Sequence, residues 1–327
     1  MTDIAINPDN PSMVYAATTE GLYRTVDSGG NWELLLDLPM ASHLAINPDN
    51  PDIVFLTVGS YQNEVSGIYR ATDGENFTAI PDAPSGYTGK ARIKIYDGDS
   101  NIMYLSAADS NGTNNYGLYK STDGGTNWNK VNSQNVPTYQ GWYAHDVAID
   151  PTDDDLAIWV GVDLYKTTNS GGSLSQKSYW YNWDFGQTPV GGSEGPGDYV
   201  HADIHAVYWH PTIANTVYLA CDGGIFVSTD NGENWEGRNG SYQTQQFYAN
   251  FSSSNTLEDR AIGGMQDNAT AIYLGEDSWS RVIGGDGGGA AYHPTNPLIM
   301  YGTSQYLGLR KSSNGCLLYT SPSPRDS

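Results

Sequence analysis

Thr25-Val26-Asp27-Ser28-Gly29-Gly30-Asn31-Trp32, Ser121-Thr122-Asp123-Gly124-Gly125-Thr126-Asn127-Trp128 and Ser228-Thr229-Asp230-Asn231-Gly232-Glu233-Asn234-Trp235 are three copies of one pattern. Two worn copies, Ala71-Thr72-Asp73-Gly74-Glu75-Asn76-Phe77 and Thr167-Thr168-Asn169-Ser170-Gly171-Gly172, lie between them. Each reads as a tight turn that closes a strand: the acidic side chain accepts backbone N–H groups, Gly supplies positive φ, and Trp packs beside the next unit. Asp27, Trp32, Asp73, Asp123, Trp128, Asp230 and Trp235 are therefore assigned structural work. Counted from Asp27 through Asp73, Asp123, Asn169 and Asp230, the spacings are 46, 50, 46 and 61 residues. Propeller blades repeat at ~40–50 residues.

Working outward from the turns, each unit reads as four short segments. An apolar strand ends in Pro (Leu44-Ala45-Ile46-Asn47-Pro48), a second carries Tyr or Phe (Ile53-Val54-Phe55-Leu56), a third is led by Gly into the turn, and a fourth leaves it behind the Trp. The expected fold is all-β, a β-propeller of four-stranded antiparallel blades, about six and a half of them. Blades start near Asp3, His43, Arg92, Asp146, His205, Phe247 and Gly289. The sixth, Gln246 to Gly284, lacks the acidic turn, which makes the 84-residue gap from Asp230 to Asn314 two units long. Because strands alternate direction, the Asn-Pro turns after the first strands share one face with the acidic turns. The loops between strands two and three, and from strand four to the next blade, share the other, and function is to be sought there.

A net charge of −22, with only 15 basic residues scattered along the chain, argues against nucleic acid as a partner. No apolar run is long enough for a membrane-spanning helix. Met1 is followed directly by repeat register at Ile4-Ala5-Ile6-Asn7-Pro8 rather than by a signal peptide. Cys316-Leu317-Leu318-Tyr319-Thr320-Ser321-Pro322 and the residues after it look like a translated sequencing-library adapter. The expected organisation is a propeller fragment over 1–315, truncated at both ends and part of a longer multidomain chain, with a non-native tail over 316–327. Cys221 is then the only cysteine, so no disulfide framework reports a compartment.

Candidate functional residues concentrate after the long loop Gln187–Val200. If His201-Ala202-Asp203-Ile204-His205 is extended, His201, Asp203 and His205 point to one side, a face suited to a divalent metal such as zinc, manganese or iron. The alternative is a hydrogen-bonded loop anchor. Cys221-Asp222-Gly223-Gly224, Gly263-Gly264-Met265-Gln266-Asp267-Asn268 and Gly284-Gly285-Asp286-Gly287-Gly288 each place a carboxylate among glycines. Asp203, Asp222, Asp267 and Asp286 are thus four candidate acids, enough for the paired carboxylates of glycoside hydrolysis. Tight turns want the same residues. Expected ligand contacts are His201, Asp203, His205, Asp222, Gln266, Asp267, Asn268, Asp286, Trp180 and Trp183, the tryptophans from an aromatic cluster at 179–185 suited to sugar rings, as is Trp142-Tyr143. His43, His145 and Asp146 occupy equivalent positions before first strands and read as shared architecture.

The turn pattern resembles the Asp-box repeats of bacterial neuraminidases. From His201 to Gly315 the chain is similar to secreted bacterial Asp-box propellers of sortilin-like or glycosyl-hydrolase-like type, which carry His-x-Asp-x-His, Asp-Gly-Gly, Gly-Gly-x-Gln-Asp-Asn-Gly-Thr and Gly-Gly-Asp-Gly-Gly segments in this order. Ala269 stands where that pattern has Gly. The resemblance implies an extracellular, cell-surface or periplasmic protein. Sialidases, with an arginine triad and a Tyr–Glu pair, and xyloglucan hydrolases share the repeat, but neither catalytic set is matched here. The leading expectation is a binding or scaffolding module for a glycan or a protein or peptide ligand. Its alternative is a glycoside hydrolase of the xyloglucanase-like propeller type.

Overall fold

The middle strands of the repeats are mostly apolar rather than alternating: Val54–Val58, Met103–Ala107 and the second half of Asp153–Val160 are buried at every position, Thr57 and Ser106 being their only polar residues. A strand reads this way when both faces of its sheet are covered. In the computed structural model, which describes residues 1–61, 63, 65–113, 115–187, 190–239, 246–248, 251–315 and 319–320, that is what the blades do. Blade one is Asp3–Ile6, Val14–Ala17, Leu22–Thr25 and Glu33–Leu36; blade two is Ala41–Ile46, Val54–Val58, Gly67–Ala71 and Thr78–Ala79. Blade three is Ala91–Ile95, Met103–Ala107, Gly117–Ser121 and Asn129–Asn132; blade four is Asp146–Asp150, Asp153–Val160, Leu164–Thr167 and Ser175–Gln176. All pair antiparallel in chain order, so the chain is an all-β, propeller-type fold.

The residues fall into two compact units. The first holds Met1–Trp180, His201–Cys221 and Val227–Trp235, and the second Tyr181–Val200, Asp222–Phe226 and Glu236–Ser327. The segments of blade five, Ile204–Trp209, Val217–Cys221, Gly224–Ser228 and Glu236–Gly237, are divided between them. The second unit contains blade six (Ser252–Ser253, Ala261–Gly264, Thr270–Tyr273 and Ser280–Ile283) and blade seven (Gly287–Tyr292, Met300–Ser304, Arg310–Ser312 and Tyr319–Thr320). Two expectations change here. Blade six gains a fifth strand, because Gly186–Gln187 at the edge of the long loop pairs with Ser280 and Arg281. Blade seven has four strands, the last being Tyr319–Thr320 against Arg310 and Lys311; the remaining residues of the 316–327 tail lie outside the described residues.

Each core lies between blades. Tyr15, Ala17 and Leu22 of blade one bury with Leu44, Val54, Leu56 and Val58 of blade two. Phe55 and Ile68 of blade two do so with Ile93, Met103, Leu105 and Trp128 of blade three, and Tyr104 and Leu118 with Val147, Ala157 and Trp159 of blade four. At roughly 1.5–3 kcal/mol per fully buried large aliphatic or aromatic side chain, blade-to-blade contact supplies most of the stabilisation a single blade lacks. Within the second unit, Ile262 and Ile272 pack with Ala290 and Met300 in the same manner.

The turns follow the expected chemistry. Asp27, Asp123 and Asp230 accept the N–H of the residue four on (Asn31, Asn127, Asn234) at 2.8–2.9 Å, and Asn169 accepts that of Ser173. Asp73 accepts that of Asn76 at 2.8 Å. Turns also bond back to their own blade's first connection, as in Gly74 N–H to Asp52 O at 2.7 Å and Gly124 N–H to Asn101 O at 3.0 Å, so the two kinds of turn share a face. His210 and His293 replace Asn at that connection, their Nδ1 accepting the N–H groups that Asn7 and Asn47 accept through Oδ1 elsewhere. Trp128 and Trp235 are 9% and 5% exposed, as expected, but Trp32 is 44% exposed.

Sequence reading missed a second device. The basic residue just before the motif reaches the next blade's turn: Arg24 donates to Gly74 O (3.1 Å), Arg70 to Gly124 O (3.2 Å), Lys120 to Ser170 Oγ (2.6 Å) and Lys166 to Asn231 O (2.8 Å). These four bases are not scattered but placed one in each of blades one to four.

Candidate functional site

At the other end of the first unit's blades, the loop that leads into blade four organises the surface. It carries a short 3-10 turn at Thr138–Gln140 and then Gly141, whose N-terminal neighbours and backbone are held against blade three: Lys90 N–H bonds Gly141 O at 2.8 Å. A Cβ on Gly141 would meet Asp109 O at 2.4 Å, so only glycine lets the loop lie this close. Fixed in this way, the loop presents Trp142 and Tyr143. Their ring centroids are 5.3 Å apart, Tyr61 from blade two stands 5.3 Å from Trp142, and Tyr143 meets the His205 ring edge-on at 4.7 Å. Tyr61 and Trp142 are 50% and 37% exposed. A row of exposed, tilted rings on a polar protein matches what saccharide faces stack upon.

Asp203 stands in the same unit, its carboxylate accepting from Gln140 Nε2 at 3.0 Å. The expected period-two face of His201, Asp203 and His205 does not form. Asp203 has φ +61°, which ends the extended run, strand pairing starts only at Ile204, and the register shifts between Ile204 and Ala206. A bulge at His205 re-aims its side chain onto Tyr143. His201 Nδ1 lies 3.1 Å from Ala202 O. Among the described residues no group of three or more His, Cys, Asp or Glu side chains is placed to hold a metal, so the divalent-metal expectation for His201, Asp203 and His205 has no geometric support.

Asp222, Gln266, Asp267, Asn268 and Asp286 fall in the second unit, and there they converge. Asn268 Nδ2 donates to Asp222 O (3.2 Å) and Gln266 O (3.1 Å), and Asp286 Oδ1 accepts the Asp267 N–H at 2.8 Å. Asp286 thus works as a turn former, the second of the two roles open to it. Ala269, where the resembled pattern has Gly, has a left-handed backbone with φ +73°. Trp183 is packed rather than offered: it lies over Arg281 and Phe185, and against Gly284, where a Cβ would come within 2.6 Å of its ring. Trp180, in the first unit, is 44% exposed and its N–H is bonded to Asp163.

Two features went unread in the sequence. Asp163, on the connection between blade four's second and third strands, is pushed up to about 6 by burial, against the N–H of Trp180 and the Ser178 hydroxyl that favour its charge. Its backbone neighbourhood joins Asp203's, since Gly161 O accepts the Ile204 N–H at 2.8 Å. The other is a clasp between first strands: Asp3 accepts Leu44 N–H, His43 accepts Ile93 N–H and Asp146 accepts Val207 N–H, at 2.8, 3.3 and 3.2 Å. His145 bonds Ser106 Oγ at 2.8 Å, which also accepts from Trp159. Burial, helped by Arg92, holds His43 well below the ordinary imidazole range and His145 down to about 3. Both histidines are neutral architecture.

No family model matches this chain. A xyloglucanase of Acetivibrio thermocellus is 31% identical over 201 residues, covering 55% of this chain and 23% of its own length. A xyloglucanase of a Paenibacillus species is 28% identical over 253 residues, covering 70% of this chain and 23% of its own. This chain therefore spans about a quarter of the length of the curated relatives it matches. Among solved structures, the GH74 xyloglucanase of Xanthomonas campestris aligns with a TM-score of 0.42 at 13% identity, over 96% of this chain and 54% of its own. YCF48 bound to D1 peptide aligns at 0.47 and 13% identity, over 98% and 93%.

Proposed function

We propose that this chain is part of an exported, xyloglucanase-like propeller glycoside hydrolase and binds a polysaccharide on the blade ends opposite the acidic turns. The observation that carries this is the ring row Tyr61, Trp142, Tyr143 and His205 beside Asp203. The sequence likeness to xyloglucanases favours the hydrolase alternative over a pure binding or scaffolding module. The four Asp turns and the Asn169 turn support membership of the Asp-box group, and an extracellular location follows from the same reading. No helix among the described residues is long and apolar enough to cross a membrane.

Hydrolysis of a glycosidic bond needs one carboxyl that carries a proton near neutral pH and one that does not. Asp163, with its pKa raised by burial, suits the first role, and Asp203 is proposed as its partner from its place beside the ring row. Retardation of the chain in gels containing xyloglucan or polygalacturonate, with released reducing ends measured in parallel, tests both halves. Trp142→Ala should weaken retardation at least tenfold, while Asp163→Asn and Asp203→Asn should abolish release and leave retardation intact. Equal migration with and without polysaccharide would end the binding reading, and release undiminished in both Asn variants would end the assignment of the acids.

A further inference from the structure

Most basic side chains in this acidic protein have a partner. Arg24, Arg70, Lys120 and Lys166 serve the turns, Lys177 pairs with Glu233 at 2.6 Å and Arg281 with Glu194 at 2.7 Å. With 37 acidic residues against 15 basic ones, an unpaired cation is the exception. Among the described residues the Arg92 and Arg310 side chains have no such partner, and of the two only Arg92 stands in a row of cations, on the first strand of blade three. Lys90, Arg92 and Lys94 recur at every second residue, which puts them on one side of the strand.

Their partners thin out in the middle. Lys94 is 3.7 Å from Asp146 and 4.2 Å above the Tyr208 ring. Lys90 Nζ has the carbonyl of Tyr143, at 3.4 Å. Arg92 makes no hydrogen bond and no ion pair among the described residues, and its Nε is buried with no partner. The nearby imidazoles of His43 and His145 are neutral and bring no negative charge; the carbonyls of Lys90 and Gly141 lie near His145, but neither is in line with its Nε2. Asp146 Oδ1, beside the same strand, is likewise buried without a partner. Buried polar atoms are almost always satisfied, and a cluster of exceptions marks a place for something bound.

We propose that Arg92, flanked by Lys90 and Lys94, binds a carboxylate carried by the saccharide that stacks on Tyr61 and Trp142, so that the ligand is a polyuronate rather than a neutral glucan. A guanidinium matches a carboxylate with two parallel N–H bonds, and a second cation on either side deepens the local potential. The Lys90 bond to the Tyr143 carbonyl ties the strand to the ring row, which puts the charged and stacking contacts within one surface. The inference rests on the saccharide reading above and narrows it.

Calorimetric titration of the whole chain with a galacturonate tetramer, its methyl ester and a xyloglucan oligosaccharide tests it. The acid should bind at least tenfold tighter than the ester. Arg92→Gln should erase that preference, bringing the acid to the affinity of the ester, and Arg238→Gln, an equal charge change at an exposed residue paired with Glu236, should not. Thermal melts establish that both variants fold. Equal binding of acid and ester, or an acid preference that survives Arg92→Gln, overturns the carboxylate subsite and leaves the saccharide reading standing. No binding by any of the three probes overturns both.

Discussion

Within the first unit the two ends of the blades follow different rules. At the turn end the repeats solve the same problem in much the same way: an acid or Asn gathers backbone N–H groups, in all but the Asp73 turn a hydroxyl two residues earlier accepts another, and in blades one to four a basic residue ties the turn to the next blade. At the opposite end no two loops are alike, and Arg92 Nε, His145 Nε2 and Asp146 Oδ1 are buried without partners around one strand, whereas the two such atoms at the turn end, Arg24 Nε and Trp235 Nε1, lie in separate blades. Repetition shows where folding has been satisfied. Departure from it shows where the chain has polar groups left for another molecule.

The largest expected effect sharpens this comparison inside the turns themselves. Trp128 is buried and donates Nε1–H to Gly125 O at 3.0 Å, so Trp128→Ala should cost about 3–5 kcal/mol in denaturant unfolding. Trp32, the same motif position but exposed, should cost less than about 1 kcal/mol on the same change. Equal losses would mean that the motif, rather than burial, sets the energy.

Next come the cations. Lys166→Met leaves Asn231 O without its donor and should cost about 1–3 kcal/mol, whereas Arg92→Gln breaks no bond and should fall within about 0.5 kcal/mol of the parent. A large loss at Arg92 would show it to be structural and erase the contrast between the ends.

The smallest effect is in acid, where the ends titrate with opposite signs. The amides of Asn31, Asn76 and Asn127 hold Asp27, Asp73 and Asp123 at about 2, below their value of 3.8 in an unfolded chain. Their contribution is complete above pH 3.8 and is lost as pH falls through 2. Asp163 is raised to about 6, so it binds its proton more tightly when folded: its contribution is present below pH 3.8 and disappears as pH rises through 6. Melting curves between pH 2 and 7 should show the Asp27→Asn, Asp73→Asn, Asp123→Asn triple variant below the parent above pH 3.8 and converging with it as pH falls towards 2, whereas Asp163→Asn should match the parent below pH 3.8 and gain on it as pH rises through 6.

Legibility follows the same division. The blade period, the strand order and the turn chemistry are local, so eight residues carry them and Asn169 or His210 can be recognised as substitutes once the geometry is known. The run His201 to His205 was misread because period-two alternation holds only while the backbone stays extended, and a single left-handed residue, Asp203, breaks it. The packing of Trp183 against Gly284 and Arg281 is not legible in its aromatic neighbours, because both partners lie about a hundred residues away in the chain. Asp163 sits in no motif, and its raised pKa comes from burial under the segment that bears Ser178 and Trp180.

What the sequence by itself determined is the repeating blade, since a turn that satisfies its own N–H groups needs only residues within a few positions of one another. What only the tertiary structure decided is which charges are spent and which are left over. Arg70 and Arg92 look alike in the chain. One reaches a carbonyl 54 residues away and the other reaches none, and that difference exists only after the blades have packed.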